Sequence, residues 1–335
     1  MKIALTYNLK KNDLTKPEDY SSEFDSEETI NAIISALRSR GHSVHCVEAS
    51  QPNLLSALKK SQADMVFNIA EGERGKFRES EIPAILDFLN IPYTGSGTLP
   101  LALALNKALT KKILKADNIP TPNFQLFTTR QEELDPELKF PLIVKPNFEG
   151  SAKGISRSNV VENKESLYSE ARELINSYQQ EVLVEEFIEG KELTVGILEN
   201  GTCCVLPILE IDFSSCQKSG EFFYSWRMKE FQGDDKQGLT PTFHCPARLD
   251  KETEKLVKDT ALRTHRAVGC YDISRTDIRL SKENIPYVLE INPLPGLNPK
   301  ESNFPIMAYA AGMKYGDIIE TILMSAYKRR KAENG

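Results

Sequence analysis

The first 69 residues switch repeatedly between strand-like and helix-like patterning, and this alternation constrains the fold more than any other feature. Residues 2–7 read as a strand, 27–40 as a helix, 43–48 as a strand, 52–60 as a helix and 63–69 as a strand. A β-α-β-α-β order predicts a parallel sheet with helices on its faces. Gly41 stands where a helix C-cap is expected. Asp25 or Ser26, followed by Glu27 and Glu28, marks the helix start, with acids in the first turn. Residues 80–90 read as another helix. Ile91-Pro92-Tyr93-Thr94-Gly95-Ser96-Gly97 then reads as a strand end running into a turn.

A helical stretch over 98–117 follows, and Pro120 and Pro122 prevent its continuation. Residues 140–146 form a short apolar strand, 149–154 a glycine-containing loop, 163–178 an amphipathic helix and 182–188 a strand turning at Glu189-Gly190. Strand signals then dominate at 192–198, 203–211, 271–280 and 286–291. One helix interrupts them at 251–268, with Asp250 as N-cap and Gly269 after its end. A last helix covers 304–327, and 328–335 read as a solvated basic tail. A chain of 335 residues suggests two or three domains. The expected units are 1–97, 98–184 and 185–335.

Composition excludes several function classes. Forty-two Lys and Arg stand against 48 Asp and Glu, so non-specific nucleic-acid binding is disfavoured. The longest apolar run, 99–105, is far short of the ~20 residues needed to span a membrane. The N-terminal apolar stretch is too short for a signal peptide. The six cysteines are scattered without C-x-x-C spacing and there are four histidines, which argues against a zinc site and for a reducing cytoplasm.

Three segments carry chemistry. In Val144-Lys145-Pro146 and Glu149-Gly150-Ser151-Ala152-Lys153-Gly154, a lysine at a strand end adjoins a loop of small residues. The lysine offers a point charge, and small side chains let backbone N–H groups approach phosphate oxygens. Neither a Walker A loop nor a G-x-G-x-x-G fingerprint is present. Arg275-Thr276-Asp277 and Glu290-Ile291-Asn292 place like-facing pairs on two strands joined at 281–284. Asp277, Glu290 and Asn292 then converge as hard oxygen donors suited to Mg²⁺ and phosphate, with Arg275 beside them. The plainer alternative is an exposed strand face with cross-strand ion pairs. In Glu185 through Glu192, backbone groups near Phe187 and Ile188 can meet an adenine edge and a carboxylate the ribose; the alternative is a charged turn.

These segments, in this order, resemble the ATP-grasp superfamily and, within it, the D-alanine–D-alanine ligase family. The resemblance spans roughly residues 60–315. It adds the 91–97 segment with Asn106-Lys107, Leu193 through Leu198, Phe223-Tyr224 with Lys229, Cys245-Pro246-Ala247, and Pro295-Gly296. It implies an α/β fold, α+β in places, of three-domain ATP-grasp architecture. An N-terminal parallel-sheet domain precedes central and C-terminal domains that sandwich ATP. It implies ADP-forming ligation of a carboxylate to an amine through an acyl phosphate, on amino-acid or amino-acid-like substrates, in a protein that is commonly a homodimer. Lys107, Lys145 and Lys229 would neutralise phosphate, and Ser151 with its loop would cover it. Glu185 would face the adenine amino group and Glu192 the ribose, with Phe187 and Ile188 between them. Asp277, Glu290 and Asn292 would hold Mg²⁺, commonly two ions, with Mn²⁺ as an alternative. Arg275 and the Gly296 N–H would stabilise the tetrahedral oxyanion.

The sequence departs from the family on the substrate side. A polar insertion up to Asp25 replaces the Gly-rich turn after the first strand, and Glu27 or Glu28 stands in for its acidic residue. Ala70-Glu71-Gly72-Glu73-Arg74-Gly75-Lys76 replaces a His-Gly stretch. Glu230 replaces a Tyr. Glu301, with Ser302 beside it, stands where a Ser usually holds the second substrate's carboxylate. Either the substrates differ from two D-alanines, or a one-residue slip lets Ser302 serve.

Overall fold

The N-terminal alternation folds as the periodicity requires. In the computed structural model, which describes all residues except 12–14, 16, 51, 130–131, 200, 217–219, 221, 231–238 and 334–335, β1 (Lys2–Tyr7) lies between β2 (Ser43–Glu48) and β3 (Met65–Asn68). Both pairings are parallel. The crossovers are α1 (Glu27–Ser39) and α2 (Leu54–Ser61), and α3 (Glu81–Leu89) follows. Ser26, rather than Asp25, caps α1 by accepting from the Thr29 N–H. Ile3 and Leu5 point to one face of the sheet, against Ile33 and Leu37 of α1. Ala4 points to the other, against Leu58 and Leu86. Burying a side chain such as Ile3 or Leu5 contributes about 1.5–3 kcal/mol.

The expected helix at 98–117 is two helices, α4 (Thr98–Leu105) and α5 (Lys107–Ala116). Asn106 leaves helical geometry at φ −87°, ψ 89°, and its side chain accepts from the Leu109 N–H. Neither glycine nor proline marks the break. It comes from Asn147, whose carbonyl accepts the Lys107 N–H and whose side chain accepts the Ala108 N–H. The second helix therefore starts with Lys107, facing the strands.

A four-stranded antiparallel sheet follows, in the order β4 (Phe124–Phe127), β7 (Val182–Glu186), β5 (Leu142–Pro146), β6 (Val160–Val161). Helix α6 (Lys164–Tyr178) buries Leu167, Ala171 and Leu174 against it. The chain then enters a six-stranded antiparallel sheet at β8 (Gly190–Glu199). Gly190 has φ +148°, and a Cβ there would lie 1.9 Å from the Leu280 carbonyl oxygen, so the entry point requires glycine. In this sheet β9 (Cys203–Val205) pairs with β8, and the path runs β11 (Thr242–His244), β10 (Leu209–Asp212), β8, β12 (Ile273–Ser281), β13 (Pro286–Asn292). The short α7 (Trp226–Glu230) precedes β11, and α8 (Lys251–Val268) packs Val257 and Ala261 on Leu193, Val195 and Ile278.

Three further expectations need correction. The strand at 203–211 is β9 and β10, because Pro207 between them offers no N–H to a ladder. The helix at 304–327 is α9 (Asn303–Ala310) and α10 (Tyr315–Glu333), separated by a turn in which Gly312 has φ +84°. The basic stretch from 328 is the end of α10 rather than a solvated tail. Arg329 pairs with Asp272 at 2.8 Å and donates to the carbonyls of Tyr93 and Gly95. Strands β4 and β11, of four and three residues, were too short to show a period. No helix among the described residues is long and apolar enough to cross a membrane.

Candidate active site

A cavity of about 430 Å³ opens between the two antiparallel sheets and reaches the N-terminal unit. The thirteen candidate residues are spread over α5, β5, β7, β8, α7, β12, β13 and the loops between them, and for those on strands convergence is a matter of register. On the β12–β13 hairpin, Arg275 stands opposite Asn292 and Asp277 opposite Glu290. Alternation puts all four on one face. Arg275 forks onto Asp277 at 2.8 and 3.0 Å, and Thr194 donates to the same carboxylate at 2.6 Å. Burial pushes the Glu290 carboxyl up, but Lys107, Lys145 and Arg275 outweigh it and bring it to about 2. Glu290 is therefore ionised, and the Lys107 ammonium lies 3.2 Å from it. Three hard oxygen-bearing side chains with an ionised centre fit a magnesium ion. Asn292 turns its amide N–H to Asp277 at 3.1 Å, so holding an ion requires the amide to turn its oxygen inward.

The end expected to take a nucleotide lies across β5, β7 and β8. Lys145 and Glu185 are neighbours on adjacent strands and meet at 2.6 Å. Sequence reasoning missed Lys111 of α5, which is fully buried and pairs with the other oxygen of Glu185 at 2.8 Å. Burial lowers the Lys111 ammonium to about 8 against the pull of Glu185. Burial pushes Glu185 up, and the two lysines reverse this and hold it below the usual range. A carboxylate has about four acceptor sites, so Glu185 can still receive an amino group. Arg279, also missed, stacks on the Phe187 ring at 4.9 Å, donates to the Ile188 carbonyl and lies 3.3 Å from Glu192. Burial, then Asp277 and Glu290, raise Glu192 despite Arg279.

The phosphate-type loop runs over this end. Ser151 and Ala152 adopt φ +53° and +56°, a left-handed conformation that costs about 1–2 kcal/mol per non-glycine residue. Small side chains in this turn leave room for backbone N–H groups to approach an anion. The loop is pinned from outside. Glu23 accepts the Gly150 N–H at 2.8 Å and pairs with Arg78 at 2.6 Å, and Arg78 donates to the Phe148 carbonyl and lies 3.3 Å from Glu149. Lys107 donates to the Glu149 carbonyl, and Lys229 reaches the Ser151 hydroxyl at 2.9 Å. Desolvation and Arg275 lower the Lys229 ammonium.

On the substrate side, Glu27 and Glu28 do not reach the cavity. Both are exposed, and Glu28 pairs with Lys300. Glu23, Asp25, Glu71 and Glu79 line it instead. Arg78 and Glu23 lie 55 residues apart, and no local pattern flagged either. Glu230 is paired with Lys10 at 2.7 Å, so the post-strand segment supplies its counter-charge. Gly296 lies against Ser302, where an added Cβ would sit 2.8 Å from the Ser302 hydroxyl oxygen. Ser302 is the N-cap residue of α9, and Glu301 beside it is exposed.

Comparison with known proteins matches this geometry to one family. The family described as "D-ala D-ala ligase C-terminus" matches residues 113–324. A D-alanine–D-alanine ligase of Carboxydothermus hydrogenoformans is 34% identical over 312 residues, covering 90% of this chain and 94% of the relative. An uncharacterized protein of Sinorhizobium fredii is 32% identical, covering 89% and 87%. The solved D-alanine–D-alanine ligase of Bacillus anthracis, in complex with ATP, aligns over 99% of both chains with a TM-score of 0.77 at 26% identity.

Proposed function

The chain belongs to the D-alanine–D-alanine ligase family of the ATP-grasp superfamily, and on that premise we propose that its cavity joins an amino-acid carboxylate to an amine using ATP and Mg²⁺. The observation that carries the assignment of roles is the register of the β12–β13 hairpin. It lines up Arg275, Asp277, Glu290 and Asn292 on one face, opposite Lys107 and Lys145.

The proposed reaction follows from this charge layout. Lys107, Lys145 and Lys229 neutralise the triphosphate, and the loop at Ser151 covers it. Phe187 and Ile188 flank the adenine between Glu185 and Glu192. Asp277, Glu290 and Asn292 would hold Mg²⁺, which supplies charge neutralisation between phosphate oxygens when bound. The donor carboxylate takes the γ-phosphoryl group and ADP is released. The amine lone pair then attacks the acyl carbon. Arg275 and the Gly296 N–H hold the tetrahedral oxyanion, inorganic phosphate leaves, and the nitrogen loses its proton. Closure of the loop would keep water from the acyl phosphate.

For the second substrate, Ser302 has the better geometry. It stands at the start of α9, where the helix favours an anion, and against Gly296. Ser302→Ala is expected to raise KM for the second amino acid about tenfold or more, while Glu301→Ala changes it little. The reverse result would support altered specificity at Glu301.

A specific observation favours substrates other than two D-alanines. Glu71, Glu79 and Asp25 bring carboxyl groups to the substrate end of the cavity, where burial raises all three and brings Asp25 and Glu79 to about 7. A substrate with an additional amine would relieve that burden. Phosphate release from ATP and Mg²⁺ over a pairwise panel of D- and L-amino acids, with products identified by mass, tests the reading. Turnover with D-alanine alone would remove the second reading; turnover only with basic or branched partners would support it; no turnover with any pair would count against ligation of free amino acids.

A further inference from the structure

The scattered cysteines argued against a zinc site on linear spacing, but three dimensions bring one of them to a histidine and a glutamate. Glu199 ends β8 and is the cross-strand partner of Cys203 at the start of β9. His265 lies in the last turn of α8, packed over the same sheet. None of the three lines the active-site cavity. The Cys203 sulfur is 3.0 Å from Glu199 Oε1, and His265 Nε2 is 3.6 Å from the same oxygen. All three donor atoms lie within 4.8 Å of one another.

Each donor is aimed by a second contact. His265 is buried at 1% exposure, and its Nδ1 is bonded to the Ser274 hydroxyl at 2.7 Å. That bond turns Nε2 toward Glu199 and Cys203, where it makes no hydrogen bond. Glu199 Oε2 accepts the Asp272 N–H at 2.8 Å, which leaves Oε1 directed at the other two groups. A metal-binding histidine is held by its other ring nitrogen in this way. For zinc bonds near 2.0–2.3 Å in tetrahedral geometry, donor atoms stand about 3.4–3.6 Å apart. The two separations from Glu199 Oε1, 3.0 Å to the Cys203 sulfur and 3.6 Å to His265 Nε2, are near this, and Cys203, half-exposed on its hairpin, has room to adjust.

We propose that Glu199, Cys203 and His265 form a binding site for a thiophilic divalent cation, of which Zn²⁺ is the chemical type, with the fourth position open to solvent. The donor set of thiolate, imidazole and carboxylate selects such an ion over the Mg²⁺ of the active site. Binding replaces the Cys203 thiol proton, which passes to solvent. Because the thiol proton is displaced, binding tightens as pH rises. An ion there would tie the β8–β9 hairpin to the end of α8.

The test is titration of the intact, chelator-treated protein with Co²⁺ and then Zn²⁺, with excess Mg²⁺ present. One equivalent of Co²⁺ is expected to produce a thiolate-to-metal charge-transfer absorption that Zn²⁺ abolishes. Cys203→Ser should remove that absorption and weaken Zn²⁺ binding at least tenfold. Glu199→Gln should weaken binding without removing the thiolate signature, and Cys204→Ser should change neither. Absence of the absorption in the unmodified protein, or its persistence in Cys203→Ser, would overturn the proposal. Since Cys203 lies on a half-exposed hairpin, its serine variant should retain the parent melting temperature in chelator. That comparison keeps the readout on binding rather than folding.

Discussion

The two ends of the cavity are built differently. At the nucleotide and metal end, Lys145, Glu185, Asp277, Glu290 and Asn292 all stand on strands, and ladder register sets their positions. At the substrate end, Glu23, Asp25, Glu71 and Glu79 stand on connecting segments, where Arg78 pairs with Glu23. The electrostatics differ in the same sense. At the first end neighbouring cations drive Glu290 to about 2, although burial still raises Glu192; at the second, burial lifts Asp25 and Glu79 to about 7, and only at Glu23 is it outweighed, by Arg78 and Lys153. A strand-borne site is rigid, and its chemistry is set by its neighbours on the ladder. A loop-borne site can be altered without disturbing the sheets.

The largest effect should come from breaking the strand-borne end. Lys145→Ala removes one partner of buried Glu185 and the phosphate contact proposed for Lys145, and should lower kcat/KM about 10²–10³-fold while Lys111 keeps the carboxylate paired. Phosphate release, with a melting curve to verify folding, checks it; near-normal turnover would overturn the role given to Lys145. Next is Arg78→Ala, which cuts the link between the substrate-side acids and the phosphate loop. It should cost about 10–100-fold in turnover through loop misplacement. An effect on the amino-acid KM alone would show that the two ends are independent.

Titration should separate the ends more gently. Asp25 holds its proton in the folded chain where the unfolded chain, with its ordinary value of 3.8, has lost it. The folded state binds more protons over that interval, so this group's contribution to stability falls as pH rises from about 4 to about 7. Asp25→Asn should flatten that fall, measured as melting temperature against pH. Glu290 runs the other way: its contribution is present above its ordinary 4.5 and is lost as pH falls toward 2. The smallest effect belongs to Lys10→Ala. Its pair with Glu230 is partly exposed, at 34% and 30%, so a double-mutant cycle should give about 0–1 kcal/mol.

The same contrast explains what could be read from the sequence. The Arg275/Asp277 and Glu290/Asn292 pairs were legible because a period of two fixes the face, and a four-residue connection fixes the partner strand. Lys145 was legible from its place at the strand end before a loop of small residues. Lys111 and Arg279 were hidden because a lysine in a helix and an arginine in a strand give no local sign of what they bury against. Glu23 was hidden because its partners, Arg78 and Gly150, are 55 and 127 residues away. Glu27 and Glu28 drew attention through helix-start chemistry, and they stay on the exposed first turn of α1, where Glu28 pairs with Lys300. The break at Asn106 was invisible for a similar reason, since its cause sits at Asn147.

The closing helix α10 carries a consequence for how the protein is made. Ile318, Ile319, Ile322 and Leu323 complete the same apolar core as Ile3, Leu5, Ile33 and Leu37, although three hundred residues separate them. During synthesis β1 and α1 are made long before α10, so the side of α1 that α10 packs against stays bare until residues 315–333 have emerged. The earliest part of the chain is thus among the last to be sealed. A nascent chain stalled before residue 318 would present that apolar surface to chaperones, and the emergence of α10 is the event that covers it.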